Sequence, residues 1–237
     1  MKKYIILLSL VLSLIYTTQS YSQQFRFGVK TGINFSNMRV SGFTGVTESS
    51  RFTFHVGAIV DYSFTKSFSL ESGLILNSKG ANFEIVSPIN NSTIVVTTTQ
   101  TLSPLYIELP INAVYKVDIK PLKLQLFAGP YFGFGVSGNR ETEYTATGLP
   151  NGVTLAQLLS AIGVQNETVG LKYGGKDSDD LKLIDIGLNF GAGVEYNNFL
   201  FRLQYGLGLS NLSTTSADNE ILKNNVFSIS VGYMFGK

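Results

Sequence analysis

From Phe25 onward, apolar and polar residues alternate with a period of two, the pattern of β-strands. In Phe25–Phe35 the odd positions are apolar or Thr, and the even positions are polar or Gly. Phe52, Phe54, Val56, Ala58, Val60, Tyr62 and Phe64 share one face of a second run; Thr53, His55, Gly57, Ile59, Asp61 and Ser63 share the other. Six more runs follow at Phe68–Leu76, Leu105–Val117, Leu122–Val136, Ile184–Tyr196, Phe199–Leu209 and Phe227–Phe235, giving eight predicted strands. Several exceed the ~5–6 residues usual in soluble sheets and match the ~9–11 of tilted transmembrane strands.

The connections alternate in length. Strands 2–3, 4–5 and 6–7 are separated by a few residues, such as Thr65-Lys66-Ser67 and Asn197-Asn198. The other four gaps are predicted as long loops at Asn37–Arg51, Ser78–Thr101, Gly138–Lys182 and Ser210–Asn224. Short turns at one end and long loops at the other are the pattern of bacterial outer-membrane barrels. Within the longest loop, Thr154–Ile162 has the composition of a short helix.

Glycine decides which face meets lipid. Thirteen of the 24 Gly lie on the less apolar strand face (28, 32, 57, 73, 129, 133, 135, 187, 191, 193, 206, 208 and 232), and none lies on the apolar face of these spans. An eight-stranded barrel has a lumen only wide enough for side chains, and so crowded a wall favours residues without one. The apolar face carries many aromatics beside the short turns: Tyr62, Phe64, Phe68, Tyr115, Tyr196, Phe199, Phe201, Tyr233 and Phe235. These are predicted to form a periplasmic aromatic girdle. A soluble lipocalin-like barrel would place this face inside and overfill the lumen. The expected fold is an all-β, eight-stranded, antiparallel up-and-down transmembrane barrel with short periplasmic turns and long extracellular loops.

The N-terminus is an export signal by sequence: Lys2 and Lys3, an apolar Ile5–Tyr16, and small residues in Ser20-Tyr21-Ser22. This divides the chain into a signal peptide, residues 1–22, and one barrel domain, residues 23–237, in a bacterial outer membrane. The signal takes two lysines with it and leaves 16 basic against 16 acidic residues, so a nucleic-acid partner is not expected. Charged residues are only 14% of the chain, aromatics reach 12%, and cysteine is absent, which excludes a disulfide framework and a thiol nucleophile.

Inward positions carry Arg26, Lys30, Asp61, Glu71, Glu108, Lys116, Lys123, Asp185, Glu195 and Arg202, all but Asp185 in the periplasmic half and middle. Buried charges persist when paired, so these nine are predicted to form a salt-bridged plug, with Glu108, Arg202 and Glu71 at comparable depth. A charged conduction path is the alternative. No cofactor, metal or catalytic site is expected. His55 is the only histidine, and no nucleophile and carboxylate stand at a spacing that marks a triad. Asp177, Asp179 and Asp180 lack the Gly and distal Glu of a calcium loop, and read as a solvated acidic segment.

A set of motifs in order is similar to a known family: Lys30-Thr31-Gly32-Ile33-Asn34-Phe35-Ser36, Tyr106-Ile107-Glu108-Leu109-Pro110, Gly129-Pro130-Tyr131, Asp185-Ile186-Gly187, Gly191-Ala192-Gly193-Val194-Glu195, and Tyr205-Gly206-Leu207 with Asn211-Leu212. Together they resemble the Bacteroidota outer-membrane β-barrel family called PorT-like or porin-family proteins, across essentially the whole mature chain. The resemblance implies an eight-stranded barrel and no particular ligand or activity. The expected role is structural or interactive through the extracellular loops, in a monomer that is not an enzyme. Alternatives are a narrow channel for small solutes or ions and an accessory of a protein-secretion system. Expected partners are outer-membrane lipid and lipopolysaccharide, the barrel-assembly machinery, and an unidentified surface or secretion-complex protein.

Overall fold

In the computed structural model, which describes residues 25–42, 45–89, 92–176, 178–215 and 220–235, the alternating runs pair into a closed ring. The segment 1–22, expected to be a signal peptide, lies outside these residues. The elements are β1 (Phe25–Ser41), β2 (Val46–Ser49), β3 (Arg51–Ser63), β4 (Phe68–Ser78), β5 (Ala81–Pro88), β6 (Val95–Ile119), β7 (Leu122–Thr147), α1 (Leu155–Ile162), β8 (Glu167–Gly170), β9 (Ile184–Tyr196), β10 (Phe199–Gly208) and β11 (Ile221–Phe235). Eight of the strands form the barrel, in the order β1-β3-β4-β6-β7-β9-β10-β11, every neighbouring pair antiparallel. Pairing of β1 with β11, from Phe27 opposite Phe235 to Ser41 opposite Ile221, closes the ring.

The short turns are as tight as their sequences suggest. Asn197 and Asn198 both have positive φ, 48° and 71°, which asparagine tolerates and which suits a two-residue hairpin between right-twisted strands. Beside the turns the aromatic side chains pack ring on ring. Phe25–Tyr62, Tyr62–Phe64, Phe68–Tyr115, Phe199–Tyr233 and Tyr233–Phe235 have centroids 4.7 to 5.3 Å apart. Of the nine predicted girdle residues, Phe64, Phe68, Tyr115, Tyr196, Phe199, Phe201, Tyr233 and Phe235 are exposed on the outer wall, and Tyr62 is half-buried between Phe25 and Phe64.

The long loops depart from expectation. Ser78–Thr101, Gly138–Lys182, Ser210–Asn224 and Asn37–Arg51 contain strand as well as loop. β6 and β7 run 25 and 26 residues and stay paired from Ile119 opposite Leu122 up to Val95 opposite Thr147. β5 and β2 add to the β6 edge of this ribbon and β8 to the β7 edge, so a sheet in the order β2-β5-β6-β7-β8 stands above the barrel. On its outer side the apolar row of Ile107 and Leu105 gives way to Ser103, Thr101, Thr99 and Thr97, faced by Asn139, Glu141, Glu143 and Thr145. Backbone hydrogen bonding continues where lipid contact stops, and the side chains switch from hydrocarbon to water. The sequence conceals this because a threonine-rich run such as Thr97–Thr101 shows no hydrophobic alternation to reveal it.

α1 lies in the connection from β7 to β8. Thr154 caps its N-terminus in a reciprocal capping box with Gln157, and Gly163 ends it in the left-handed conformation at φ 74°.

Two outcomes follow. Protease applied to intact cells should cut in the exposed, non-strand segment Gly148–Thr154 and spare Thr65–Ser67; cleavage at the short turn would invert the orientation. Replacing Tyr233 and Phe235 with Ser removes the last two outward aromatics of the closing strand. It should lower the folded, heat-modifiable fraction and slow assembly, with assembly kinetics and final stability measured separately.

Candidate functional site

Ten charged side chains lie buried inside the barrel: Arg26, Lys30, Lys79, Lys116 and Arg202 against Asp61, Glu71, Glu108, Asp185 and Glu195. An ion in so narrow a space is costly unless it is paired and hydrogen-bonded, and the two arginine pairs reach across the ring. Arg202 of β10 grips Glu71 of β4 with both terminal nitrogens, at 2.5 and 2.6 Å. These strands stand opposite each other in the ring, so the pair is a strut across its diameter. Arg26 of β1 is likewise bidentate to Glu195 of β9, at 3.2 and 2.6 Å. Gln125 joins the two struts, accepting from Arg202 at 2.7 Å and donating to Glu195 at 3.0 Å. The Phe127 ring lies 4.7 Å beneath the Arg202 guanidinium. Nearby, Lys116 donates to Asp61 at 2.6 Å, and Ser69 donates to the same carboxylate at 2.7 Å.

Above the struts is a neutral polar belt. Asn34 donates to Asn77 at 2.9 Å, and its carbonyl oxygen accepts from Ser228 at 2.8 Å and lies 2.8 Å from His55 Nδ1. Asn77 in turn donates to Glu108 at 2.9 Å. His55, weighed above as a catalytic residue, is a buried member of this belt.

The uppermost charge cluster centres on Lys79. Its ammonium bridges Glu108 at 2.8 Å and Asp185 at 3.0 Å, and sits 4.1 Å over the Tyr131 ring. Asn224 donates to Asp185 at 2.8 Å. Lys30 forms no ion pair among the described residues. Lys79 holds two carboxylates, so Lys30 restores neutrality to the interior.

Of the predicted network, eight residues lie buried in the lumen. Lys123 does not: it is exposed at the periplasmic rim opposite Asp118 and Glu195, and Glu195 takes Arg26 instead. Glu108 and Arg202 are not mutual partners; each belongs to a separate pair. Lys79 was missed because Asn77-Ser78-Lys79-Gly80 reads as a turn. The ladder register of β4 on β6 nevertheless carries straight into β5, from Ser78 opposite Leu105 to Ala81 opposite Leu102. Extending the alternation Ile75, Asn77 by one step would have placed Lys79 inward.

The extracellular mouth is closed by an apolar cap. Met38, Ala81, Phe83, Leu102, Leu181, Leu212 and Leu222 form one buried cluster, against which Val40, Val46, Leu171 and Tyr173 pack. Tyr173 lies over Gly135, where a Cβ would collide with its ring. Its hydroxyl donates to the Ser137 carbonyl at 2.7 Å, and burial pushes its pKa up to about 12, so it remains a donor. A second apolar cluster inside the barrel joins Ile59, Ile75, Leu200 and Met234. Of the loop acids, Asp180 pairs with Arg140 and accepts from the Lys172 amide, and Asp179 accepts from the Lys176 amide. Asp177 lies outside the described residues.

A closed eight-strand ring, apolar outside and ionic inside, with its sheet rising beyond the lipid zone, is the architecture of a small outer-membrane barrel. The family model described as outer membrane protein beta-barrel domain matches residues 19–214. The chain belongs to this family. Its place is the bacterial outer membrane. Solved structures similar to it include Ail of Yersinia pestis, at 12% identity over 90% of this chain and 99% of that one, TM-score 0.35. Neisserial surface protein A is 13% identical over 88% and 97%, TM-score 0.38. Outer membrane protein W of E. coli is 14% identical over 91% and 100%, TM-score 0.35. No curated protein matches the chain.

Removing one partner of a buried pair typically costs about 3–5 kcal/mol, because the other charge is orphaned. Glu71→Ala and Arg202→Ala should each fall in that range in urea unfolding of the lipid-reconstituted barrel, and the double variant should cost less than their sum. Glu108→Ala with Arg202→Ala should be closer to additive. Coupling of Glu108 to Arg202 as large as that of Glu71 to Arg202 would reject this pairing.

Proposed function

We propose that this protein is a closed outer-membrane barrel that acts at the cell surface through its extracellular sheet, and is not a pore or an enzyme. The observation that carries the reading is the double seal. The Arg202–Glu71 strut crosses the lumen, and the Met38–Phe83–Leu222 cap lies over its mouth. An ion entering would have to separate buried pairs and dehydrate under an apolar lid, whereas conduction requires sites that bind and release readily. The β2-β5-β6-β7-β8 sheet is the part of the molecule offered to other surfaces. We read His55 as structural, since its Nδ1 is committed to Asn34. The ordered motifs from Lys30-Thr31-Gly32 to Asn211-Leu212 support a reading of the chain as one of the PorT-like proteins of the Bacteroidota, and we read it further as exported to the outer membrane with a leader of residues 1–22 and as monomeric.

Two measurements test this. In planar bilayers the purified barrel should give no discrete conductance steps; reproducible ion-selective steps would establish the channel reading instead. A photo-crosslinking side chain at Thr99 or Glu143, on the outer side of the sheet, should yield protein adducts in intact cells that the same probe at Ser67 does not. Adducts with secretion machinery would select the accessory role. Equal yields at all three positions would remove the case for a surface role of the sheet.

A further inference from the structure

The connection from β7 to α1 carries a chemistry that neither the lumen nor the sheet uses. Leu149-Pro150-Asn151-Gly152-Val153 holds the chain's single Asn-Gly dipeptide. An asparagine side chain and the backbone nitrogen that follows it can react without an enzyme. The deprotonated nitrogen attacks the side-chain amide carbon and closes a five-membered ring. In a folded protein two features oppose this step. A side chain on the following residue crowds the nitrogen, and hydrogen bonds hold the reacting groups in place.

Asn151 lacks both protections. The Val153 amide donates to the Pro150 carbonyl at 3.1 Å, closing a four-residue turn with Gly152 at φ 84°. The third position of a type II turn requires positive φ, which glycine adopts at no steric cost. Asn151 and Gly152 are both exposed. A Cβ on Gly152 would meet no atom within 4 Å, so the approach to its nitrogen is open. Neither the Asn151 side chain nor the Gly152 N–H forms a hydrogen bond among the described residues. Other asparagines outside the hydrocarbon zone are held back. Asn166 Oδ1 accepts from the Tyr144 amide at 2.9 Å, and Asn211 Oδ1 accepts from the Ser213 and Leu222 amides at 3.1 and 2.9 Å. Asn197, in a short turn, is followed by Asn198, whose side chain crowds the attacking nitrogen.

We propose that Asn151 is a self-modifying site, converting slowly to aspartate and isoaspartate at the cell surface. The Gly152 nitrogen loses its proton to hydroxide and bonds to Asn151 Cγ; the Cγ–Nδ2 bond breaks and ammonia leaves. Water then opens the succinimide. Cleavage between the nitrogen and Cγ gives aspartate. Cleavage between the nitrogen and the Asn151 main-chain carbonyl carbon gives isoaspartate, with the chain rerouted through Cβ and Cγ. One amide and one water become one carboxylate and one ammonium, and no oxidant or cofactor enters. The position gives the change its effect. The turn leads directly into Thr154, whose amide donates to Gln157 Oε1 at 2.9 Å in the box that caps α1. Isoaspartate adds one main-chain atom to the turn, and the Val153–Pro150 hydrogen bond loses its geometry. Either product also puts a negative charge into Gly148–Thr154, a segment with no charged residue. This inference is independent of whether the sheet binds a partner and whether the lumen conducts.

The test uses the full-length protein in phosphatidylcholine vesicles, incubated in water labelled with heavy oxygen at mildly acidic and mildly alkaline pH. Peptide mapping by mass spectrometry locates the label, and electron-transfer fragmentation separates isoaspartate from aspartate. Label should enter position 151 faster than positions 166, 197 and 211, faster still at alkaline pH, with isoaspartate among the products. Gly152→Ala puts a side chain beside the nitrogen and should slow label entry several-fold. Asn151→Gln would need a six-membered ring and should abolish label entry at that position. Heat modifiability checks that both variants keep the barrel. The proposal is overturned if position 151 takes up label no faster than position 197, if Gly152→Ala leaves the rate unchanged, or if aspartate forms without isoaspartate, the signature of direct hydrolysis.

Discussion

Hydrocarbon offers no hydrogen-bond partner to a peptide group, and each unpaired group costs several kcal/mol there. Every other property of this molecule is subordinate to that constraint. A sheet can enter a bilayer only when it has no edge, so β1 must meet β11. Eight strands are enough for closure but leave a lumen of side-chain width. The seam is therefore a stability element in its own right.

Closure also dictates the interior. Side chains that alternate with lipid-facing ones point into a space with little room for water. The charges there are poorly solvated, so they neutralise one another, the arginines by reaching across the ring. The result is a sequence of layers: bidentate arginine struts near the periplasmic turns, an amide and imidazole belt above them, a lysine bridging two carboxylates, and an aliphatic cap. Buried ion pairs are weak evidence for net stability against an apolar core. Their evident effect here is geometric, because a strut between opposite strands fixes the ring's cross-section in a way that contacts between neighbouring strands do not.

Beyond the membrane the constraint relaxes, and the sheet exploits it. β6 and β7 continue as a ribbon with polar outward residues, and β2, β5 and β8 join its edges, which water can tolerate leaving open. The lipid-facing band and the surface-facing sheet are the same strands with different side chains. The position of the switch, between Leu105 and Ser103 on β6, marks the upper limit of the hydrocarbon.

The sequence by itself determined the barrel: the period of two, the glycine-rich inner face, the aromatics beside short turns and the alternation of short and long connections are local signals, readable without knowing which strand touches which. It also placed Arg26, Lys30, Asp61, Glu71, Glu108, Lys116, Glu195 and Arg202 on the inner face, because face follows from parity alone. Parity does not give partners. Whether Arg202 meets Glu71 or Glu108 depends on the stagger accumulated around eight strands and on side-chain reach across a lumen, both properties of the closed ring. The exposure of Lys123 at the rim, the entry of Lys79 through a turn-like segment, the polar ribbon above the lipid and the cap assembled from Met38, Phe83, Leu181, Leu212 and Leu222 were likewise decided by the tertiary structure. Each joins residues distant in sequence through contacts that leave no periodic trace along the chain.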